Sequence, residues 1–370
     1  MSFVKMSEEE NIKVILVEPF FTGSHARWCK DFQKYSSHSV EIVSLEGRHW
    51  KWRMHGGAIS IAEKLKDKEA DLLVVSDMID LPLLKALLPN RLSNVPIAIY
   101  MHENQLTYPW SPDDTDIELK RDRHYGFINY TSALVADQLL FNSRYHLESF
   151  IGALPDFLSV FPDHKNMGSV NEISAKSRVL YLGMDLQKHQ DHKAVANNEH
   201  PVILWNHRWE YDKNPEEFFD VLFKLKEEGL KFGLIVLGES YSKAPVIFKE
   251  AKAKLAESII HWGWVESFEA YAALLWSSDI LPVTSNQDFF GGSVVEAMYC
   301  NVTPLLPNRL AYPEHVDSEY LYEKGEFITR LRKLIAAKKQ FDGSYLIKYD
   351  WSKLIQVYDD LFAQLISNDH

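Results

Sequence analysis

The sequence is sparing with cysteine: Cys29 and Cys300 are the only two in 370 residues. Two thiols cannot make a disulfide framework or a Cys-rich zinc site, and such usage fits a reducing cytosol. Long apolar runs are also missing, with none near the ~18 residues that span a bilayer. The opening MSFVKMSEEENIK is acidic and has no apolar core, so it does not read as a secretory signal. A cytoplasmic protein without stable membrane association is expected. Walker loops, zinc-ligand spacings and Ser-His-Asp arrays are absent, as are internal repeats and low-complexity tracts. No metal-ligand set is evident, so no cofactor and no metal dependence are expected. Positive charge is in deficit, with a net charge of −12. Nucleic acid would have to be met by a local basic patch.

What is present is ample material for two cores: 46% of residues are hydrophobic, and the length favours two domains over one. Apolar runs at 12–18, 40–45, 70–76, 96–101 and 137–142 read as strands separated by helical stretches, among them 26–35. The polar tract QKHQDHKAVANNEH, residues 187–200, reads as the interdomain linker, and 163–177 is a second polar stretch. Strand signals resume at 201–206, 231–237, 258–262 and 280–284, with an amphipathic helix at 215–228. A last helix at 351–366 has apolar residues at helical spacing. This alternation predicts an α/β protein built of right-handed βαβ units, with two Rossmann-like domains facing across a cleft. The boundaries read as 1–186, a linker at 187–200, then 201–350 and a terminal helix at 351–370.

The most informative stretch is Asp288-Phe-Phe-Gly-Gly-Ser-Val-Val-Glu296. A strand leads in and a helix leads out, so one acid sits at a strand's carboxyl end and the second inside the next helix. Open α/β sheets bind ligands at that edge. A loop carboxylate accepts hydrogen bonds from sugar hydroxyls, while Gly291, Gly292 and the helix N-terminus offer N–H groups to an anion. Arg208 and Lys213 fall in an earlier strand-to-helix loop at the same edge, and supply the fork and point charge that a pyrophosphate needs. Read alone, the same residues are surface cations and a solvated helix glutamate stabilised by the macrodipole.

The acidic pair resembles the E-x7-E signature of retaining, nucleotide-sugar-dependent glycosyltransferases, with Asp288 in place of the first Glu. That resemblance implies a GT-B fold, whose terminal helix crosses back to the first domain. It implies that Glu296 holds the ribose hydroxyls, that Asp288 contacts the transferred sugar, and that Phe290, Gly291 and Gly292 line the donor site. His261-Trp-Gly-Trp-Val265 is similar to the segment whose backbone reads the nucleobase, through Gly263 and Val265; ordinary strand-end packing by the tryptophans is the alternative. The turn at Asn301 normally carries Gly, and Asn tolerates its positive φ. Tyr349-Asp-Trp351 also matches.

Three further segments sharpen the match: Glu18-Pro-Phe-Phe-Thr-Gly-Ser-His25, His102-Glu-Asn-Gln-Leu-Thr-Tyr-Pro109 and His207-Arg-Trp-Glu-Tyr-Asp-Lys213. They resemble the tRNA-queuosine α-mannosyltransferases over nearly the whole chain, and Phe141-Asn-Ser143, Phe161-Pro-Asp-His164 and Val236-Leu-Gly-Glu239 agree. The resemblance implies GDP-mannose as donor and the cyclopentene-diol of queuosine, at the tRNA wobble position, as acceptor. Gly23 and Ser24 would then face the donor, His102 would be catalytic with Arg208, Lys213 and Asp288, and His25, Glu103, Asn104 and Gln105 would lie on the acceptor side. The route implied is front-face attack, with a donor phosphate oxygen taking the proton. As these acids are then binding contacts, an acid–base pair of the glycosidase kind is rejected.

For the RNA itself, Gly47-Arg-His-Trp-Lys-Trp-Arg-Met-His55 offers Arg48, Lys51 and Arg53 to phosphates and Trp50 and Trp52 to unpaired bases. The alternative is a loop whose tryptophans plug the core. The cluster Lys120, Arg121 and Arg123 is hemmed in by acids and reads as a solvated face. Two other functions stay open: a related transferase with a lipid or small-molecule acceptor, and a non-catalytic sugar-nucleotide-binding protein. The sequence leaves the oligomeric state open. Lys213→Ala is expected to lower turnover far more than it perturbs folding.

Overall fold

Strands β1 (Lys13–Phe21), β2 (Ser39–Glu46), β3 (Leu72–Ser76), β4 (Ile97–Met101), β5 (Gln138–Phe141) and β6 (Ser177–Val179) form one parallel sheet, ordered β2-β1-β3-β4-β5-β6. The computed structural model describes residues 12–119, 122–193, 198–239, 244–337 and 341–367. The apolar run in β1 is explained by burial on both faces. Ile15 and Val17 enter one core layer, while Val14 and Leu16 enter the layer on the opposite side. A second parallel sheet comprises β7 (Val202–Asn206), β8 (Gly233–Leu237), β9 (Ile259–Gly263), β10 (Ile280–Pro282), β11 (Thr303–Pro307) and β12 (Leu321–Tyr322). Its order is β12-β11-β10-β7-β8-β9, and β7 likewise divides its side chains between two layers, Val202 and Leu204 against Ile203 and Trp205.

Strand order decides where ligands can go. It reverses between β1 and β3 in the first sheet and between β7 and β10 in the second. At such a switch point adjacent crossovers leave on opposite faces and open a crevice beyond the strands' carboxyl ends. Of the segments expected to be functional, 18–25 closes β1, 207–213 follows β7 and 288–296 comes after β10, all at these switch points, while 102–109 follows β4, the neighbour of β3.

The chain passes between the halves twice, at adjoining points. Leu180 belongs to the first core, whereas Met184 and Leu186 belong to the second. The passage therefore precedes the tract 187–200. Residues 187–192 form a 3₁₀ segment on the second half, where Trp276 Nε1 donates to the His189 carbonyl at 2.7 Å; residues 194–197 lie outside the described set. The return is at 349–351. Met184 N donates to Tyr349 O and Trp351 N to Met184 O, each at 2.9 Å. The Asp350 carboxylate accepts from the Leu186 and Gln187 amides at 2.8 and 3.0 Å, tying one crossing to the other. Gly183 is required here, since an added Cβ would lie 2.6 Å from the Trp351 ring.

The terminal helix, Trp351–Ser367, lies on the first half. Trp351, Tyr358 and Phe362 join Trp28, Phe32 and Tyr100 in one core layer, and the Tyr358 hydroxyl donates to Tyr181 O at 2.7 Å. Two stretches depart from the sequence reading. Residues 50–65 are a helix rather than a loop, with Gly56 and Gly57 buried inside it. An added Cβ at Gly56 would lie 2.6 Å from the Trp52 ring, whereas one at Gly57 would make only ordinary contact with Pro19 Cβ at 3.4 Å. The polar tract 163–177 contains the helix Ser169–Ala175 and the first residue of β6.

Phe362 is fully buried and its ring stands edge-on to Phe32 at 5.6 Å. Phe362→Ala is expected to cost about 3–5 kcal/mol, read by urea denaturation. A loss under about 0.5 kcal/mol, the range of surface substitutions, would contradict the docking of this helix.

Candidate active site at the facing sheet edges

On the second half, β7 ends in Asn206 and leads through a 3₁₀ turn, Tyr211–Lys213, to the helix Pro215–Glu227. This turn carries Lys213 inward. The side chain is buried, and Nζ donates to Gln287 O at 2.6 Å and Asp288 Oδ1 at 2.9 Å, with Asp212 Oδ2 at 3.2 Å. Burial works against its charge, but Asp288 and Asp212 outweigh it and hold the ammonium's pKa up. Asp288 shows the reciprocal balance: burial opposes ionisation, Lys213 favours it, and the carboxyl sits below its usual range. Its other oxygen accepts from the Tyr312 hydroxyl. Arg208 is about half exposed; it pairs with Glu210 at 2.8 Å and lies 3.7 Å from Asp212.

The bend after Asp288 is fixed by packing. Phe289 stacks on His146 at 4.0 Å and its carbonyl accepts from Ser143 Oγ. Phe290 is buried in the second core, so only its backbone can serve a ligand. Gly291 takes φ 81°, and the helix Gly292–Tyr299 follows with its first N–H groups lacking helical acceptors. Glu296 is nearly buried, with both oxygens engaged: Oε1 accepts from Arg27 at 2.8 Å and Oε2 from the Tyr271 hydroxyl at 2.7 Å. Burial opposes its charge, yet Arg27 keeps its pKa low. Asn206 Nδ2 donates to Tyr271 at 3.0 Å, linking Glu296 to the end of β7. Gly263 has φ 115° and open space beside it, next to the exposed Trp264 and half-buried Val265. Asn301 adopts φ 64°, and its Oδ1 accepts from Gly343 N at 3.1 Å, a contact that glycine would not make.

On the first half, Gly23 (φ 52°) and Ser24 are exposed at the start of the helix Gly23–Tyr35. His25 is buried beneath them and meets Glu18 at 3.0 Å. Its ring lies 4.2 Å from that of His102. Burial alone would depress the His25 pKa, but Glu18, with smaller contributions from Asp77 and Glu103, raises it to about 9. Burial and the neighbouring His25 push His102 well below its ordinary value. The two imidazoles are thus shifted in opposite directions, with their ring planes tilted by 35°. Glu18, His25 and His102 also bring possible metal-ligand atoms within 4.8 Å of one another, a grouping not visible as a sequence spacing. However, the Glu18 carboxylate already accepts from Phe20 N and Ser76 Oγ and meets His25 at 3.0 Å, so its oxygens are engaged. Asn104 is fully buried, its Oδ1 accepting from Leu106 N, Thr107 N and Thr107 Oγ1, and so it shapes the loop. Glu103 and Gln105 are bonded to each other at 2.9 Å.

The two walls meet. Tyr108 donates to Asp212 Oδ2 at 3.3 Å and accepts from Arg208 at 3.4 Å, while the Tyr211 hydroxyl donates to Pro109 O at 2.8 Å. Arg208, Lys213 and Asp288 form one connected cluster through Asp212, whereas Glu296 is bound to Arg27 and, through Tyr271, to Asn206 at the end of β7. Five residues here were given no role from the sequence: Arg27, Asp77, Tyr108, Asp212 and Tyr271. Tyr108 and Asp212 lie within the segments 102–109 and 207–213 singled out from the sequence, and Asp77 carried a sign of its own, being an acid two residues after the apolar run Leu72-Leu-Val-Val75.

The segment expected to meet RNA is less open than its sequence suggests. Arg48 pairs with Glu46, Lys51 with Asp114 and Asp116 at 2.7 and 2.6 Å, and Arg53 Nε donates to Glu46 O at 3.1 Å. Trp50 packs on Tyr125 at 5.0 Å, leaving Trp52, 63% exposed, as the available stacking surface. Lys120 and Arg121 lie outside the described residues.

Comparison with known proteins gives the same two-part division. Residues 13–184 match the N-terminal family of tRNA-queuosine alpha-mannosyltransferases, and residues 187–339 match the glycosyl transferases group 1. The chain is 31% identical to the tRNA-queuosine alpha-mannosyltransferase of Drosophila melanogaster over 376 residues, covering 96% of this chain and 98% of the fly protein. In structure it is similar to sucrose-phosphate synthase of Thermosynechococcus elongatus, with a TM-score of 0.71 and 12% identity over 96% of this chain and 100% of that one. It is also similar to Anabaena HepE in complex with UDP and glucose, with a TM-score of 0.64 and 15% identity over 95% and 100%. The expected GT-B fold is thus the fold observed.

The burial of Lys213 corrects one expectation. Its removal strands Asp288, and breaking a buried pair costs about 3–5 kcal/mol. Lys213→Ala is now expected to lower both stability and turnover. Arg208→Ala, at a half-exposed site, is the cleaner probe: turnover falls ~100-fold or more while the denaturation midpoint barely moves. Near-normal turnover would remove Arg208 from the site.

The His25–Glu18 pair also has a pH signature. A histidine raised to about 9 from an unfolded value near 6.5 adds stability fully present below pH ~6.5, and lost as pH rises through about 9. Denaturation across that window should show stability declining with pH, and His25→Gln should flatten the decline. An equal slope in both proteins would contradict the pairing.

Proposed function

The chain belongs to the tRNA-queuosine alpha-mannosyltransferase family, and on that premise we propose that it moves mannose from GDP-mannose to the cyclopentene-diol of queuosine at the wobble position of tRNA. The observation that carries this reading is the Arg208–Lys213–Asp288 cluster at the second sheet's switch point, facing the His102–Tyr108 segment across the cleft. The donor diphosphate would lie between Arg208, Lys213 and the N–H groups beginning at Gly292. Glu296 would take the ribose, and the backbone at 263–265 the base. The acceptor oxygen attacks the anomeric carbon as the bond to the diphosphate oxygen breaks. The attacking hydroxyl's proton passes to a donor phosphate oxygen, and the configuration is retained. Catalysis then consists of positioning plus stabilisation of the leaving group's charge, and needs no metal. Cytoplasmic tRNA is the natural source of this acceptor, and no described helix is long and apolar enough to cross a membrane.

Incubation with GDP-mannose and queuosine-containing tRNA should add one hexose to the wobble nucleoside by mass analysis, in EDTA as well as without it. Release of free mannose with the nucleoside unchanged would contradict the acceptor assignment. Transfer abolished by EDTA would contradict metal independence.

A further inference from the structure

At the first sheet's switch point, Asp77 follows β3 directly and Glu103 follows β4 by two residues. Asp77 is 3% exposed. Its Oδ1 accepts from the His102 amide at 2.7 Å and more weakly from Glu103 N at 3.4 Å, whereas Oδ2 is buried with no partner. Glu103 is half buried, with Oε1 held by Gln105 at 2.9 Å. Among the described residues neither carboxylate has an ion-pair partner within 4.0 Å. Of the cations that act on Glu103, His25 is already paired with Glu18 and Arg208 with Glu210. Glu103 also feels Arg208 and Asp212 across the cleft, so it lies beside the site where the diphosphate would sit. Close by, the Nε2 of His102 is a second buried polar atom without a partner.

An acidic group with orphaned acceptors and no cation of its own suits a positively charged ligand. Queuosine supplies one. Its cyclopentene-diol is joined to the deazaguanine through a secondary amine that is protonated near neutral pH, on the same five-membered ring as the attacking hydroxyl. Building on the acceptor assignment made above, we propose that Glu103 and Asp77 recognise this ammonium, and that they select queuosine over a neutral diol and orient its hydroxyl toward the donor. The electrostatics agree. Burial, ahead of the neighbouring charges, raises the pKa of Asp77 to about 8 and that of Glu103 above its ordinary value, and a bound cation would offset that strain.

The test compares anticodon stem–loop RNA carrying queuosine with RNA carrying the analogue in which the linking nitrogen is replaced by oxygen. Wild-type kcat/KM should favour the amine by roughly ten- to a hundredfold, as for hydrogen bonds to a charged group. Glu103→Gln and Asp77→Asn should each bring that ratio toward one, and Glu103→Asp should restore part of it. Equal wild-type rates on both RNAs overturn the inference while leaving the mannosyl transfer intact, and so does a high ratio that survives both substitutions. The wild-type comparison decides even if a variant fails to fold. Transfer to neither RNA overturns the acceptor assignment and this inference with it.

Discussion

The cleft depends on keeping the charge of Lys213 satisfied inside the protein. A buried ammonium is tolerated only where acids and acceptors surround it. Here Asp288, Asp212 and the Gln287 carbonyl do so at 2.6 to 3.2 Å. Those partners come from the loops after β7 and β10, the strands that flank the second sheet's switch point. One ion cluster therefore fixes both loops, aims the Phe-Phe-Gly-Gly bend, and leaves Arg208 as the partly exposed cation. A donor diphosphate entering this place would meet a site already arranged for it, as electrostatic preorganisation requires.

The first half is coupled to that arrangement through side chains. Arg27 reaches Glu296, Tyr108 reaches Arg208 and Asp212, and His146 carries Phe289. Glu296 has both oxygens occupied, so a ribose would have to share or replace the Arg27 contact. A donor bound as proposed would thereby link its capture to the relation of the two halves. The hydrogen-bonded crossings at Met184 and Tyr349–Trp351 keep the halves in register at the far end of each chain passage.

Much of this was legible in the sequence because parallel strands buried on both faces appear as continuous apolar runs, and their ends mark the ligand edge. Arg208, Lys213 and Asp288 were singled out because loops after such runs carry chemistry, and Glu296, inside the next helix, because of its spacing from Asp288. What was hidden is what depends on distant pairing. Arg27 is an ordinary helix arginine until Glu296, 269 positions away, stands 2.8 Å from it. Lys51 reads as free for phosphate until Asp114 and Asp116 close on it. The polar tract 187–200 signalled surface rather than the domain crossing, because the crossing itself is lined with apolar residues that both cores use.

The central claim is that one cationic cluster receives the donor's diphosphate between the two halves. A crystal structure of the protein with GDP tests it most directly. The account predicts phosphate oxygens within hydrogen-bond distance of Lys213 Nζ and the Arg208 guanidinium, with the ribose hydroxyls on Glu296. A nucleotide bound elsewhere, with the contacts of Lys213 and Glu296 unchanged, would contradict it.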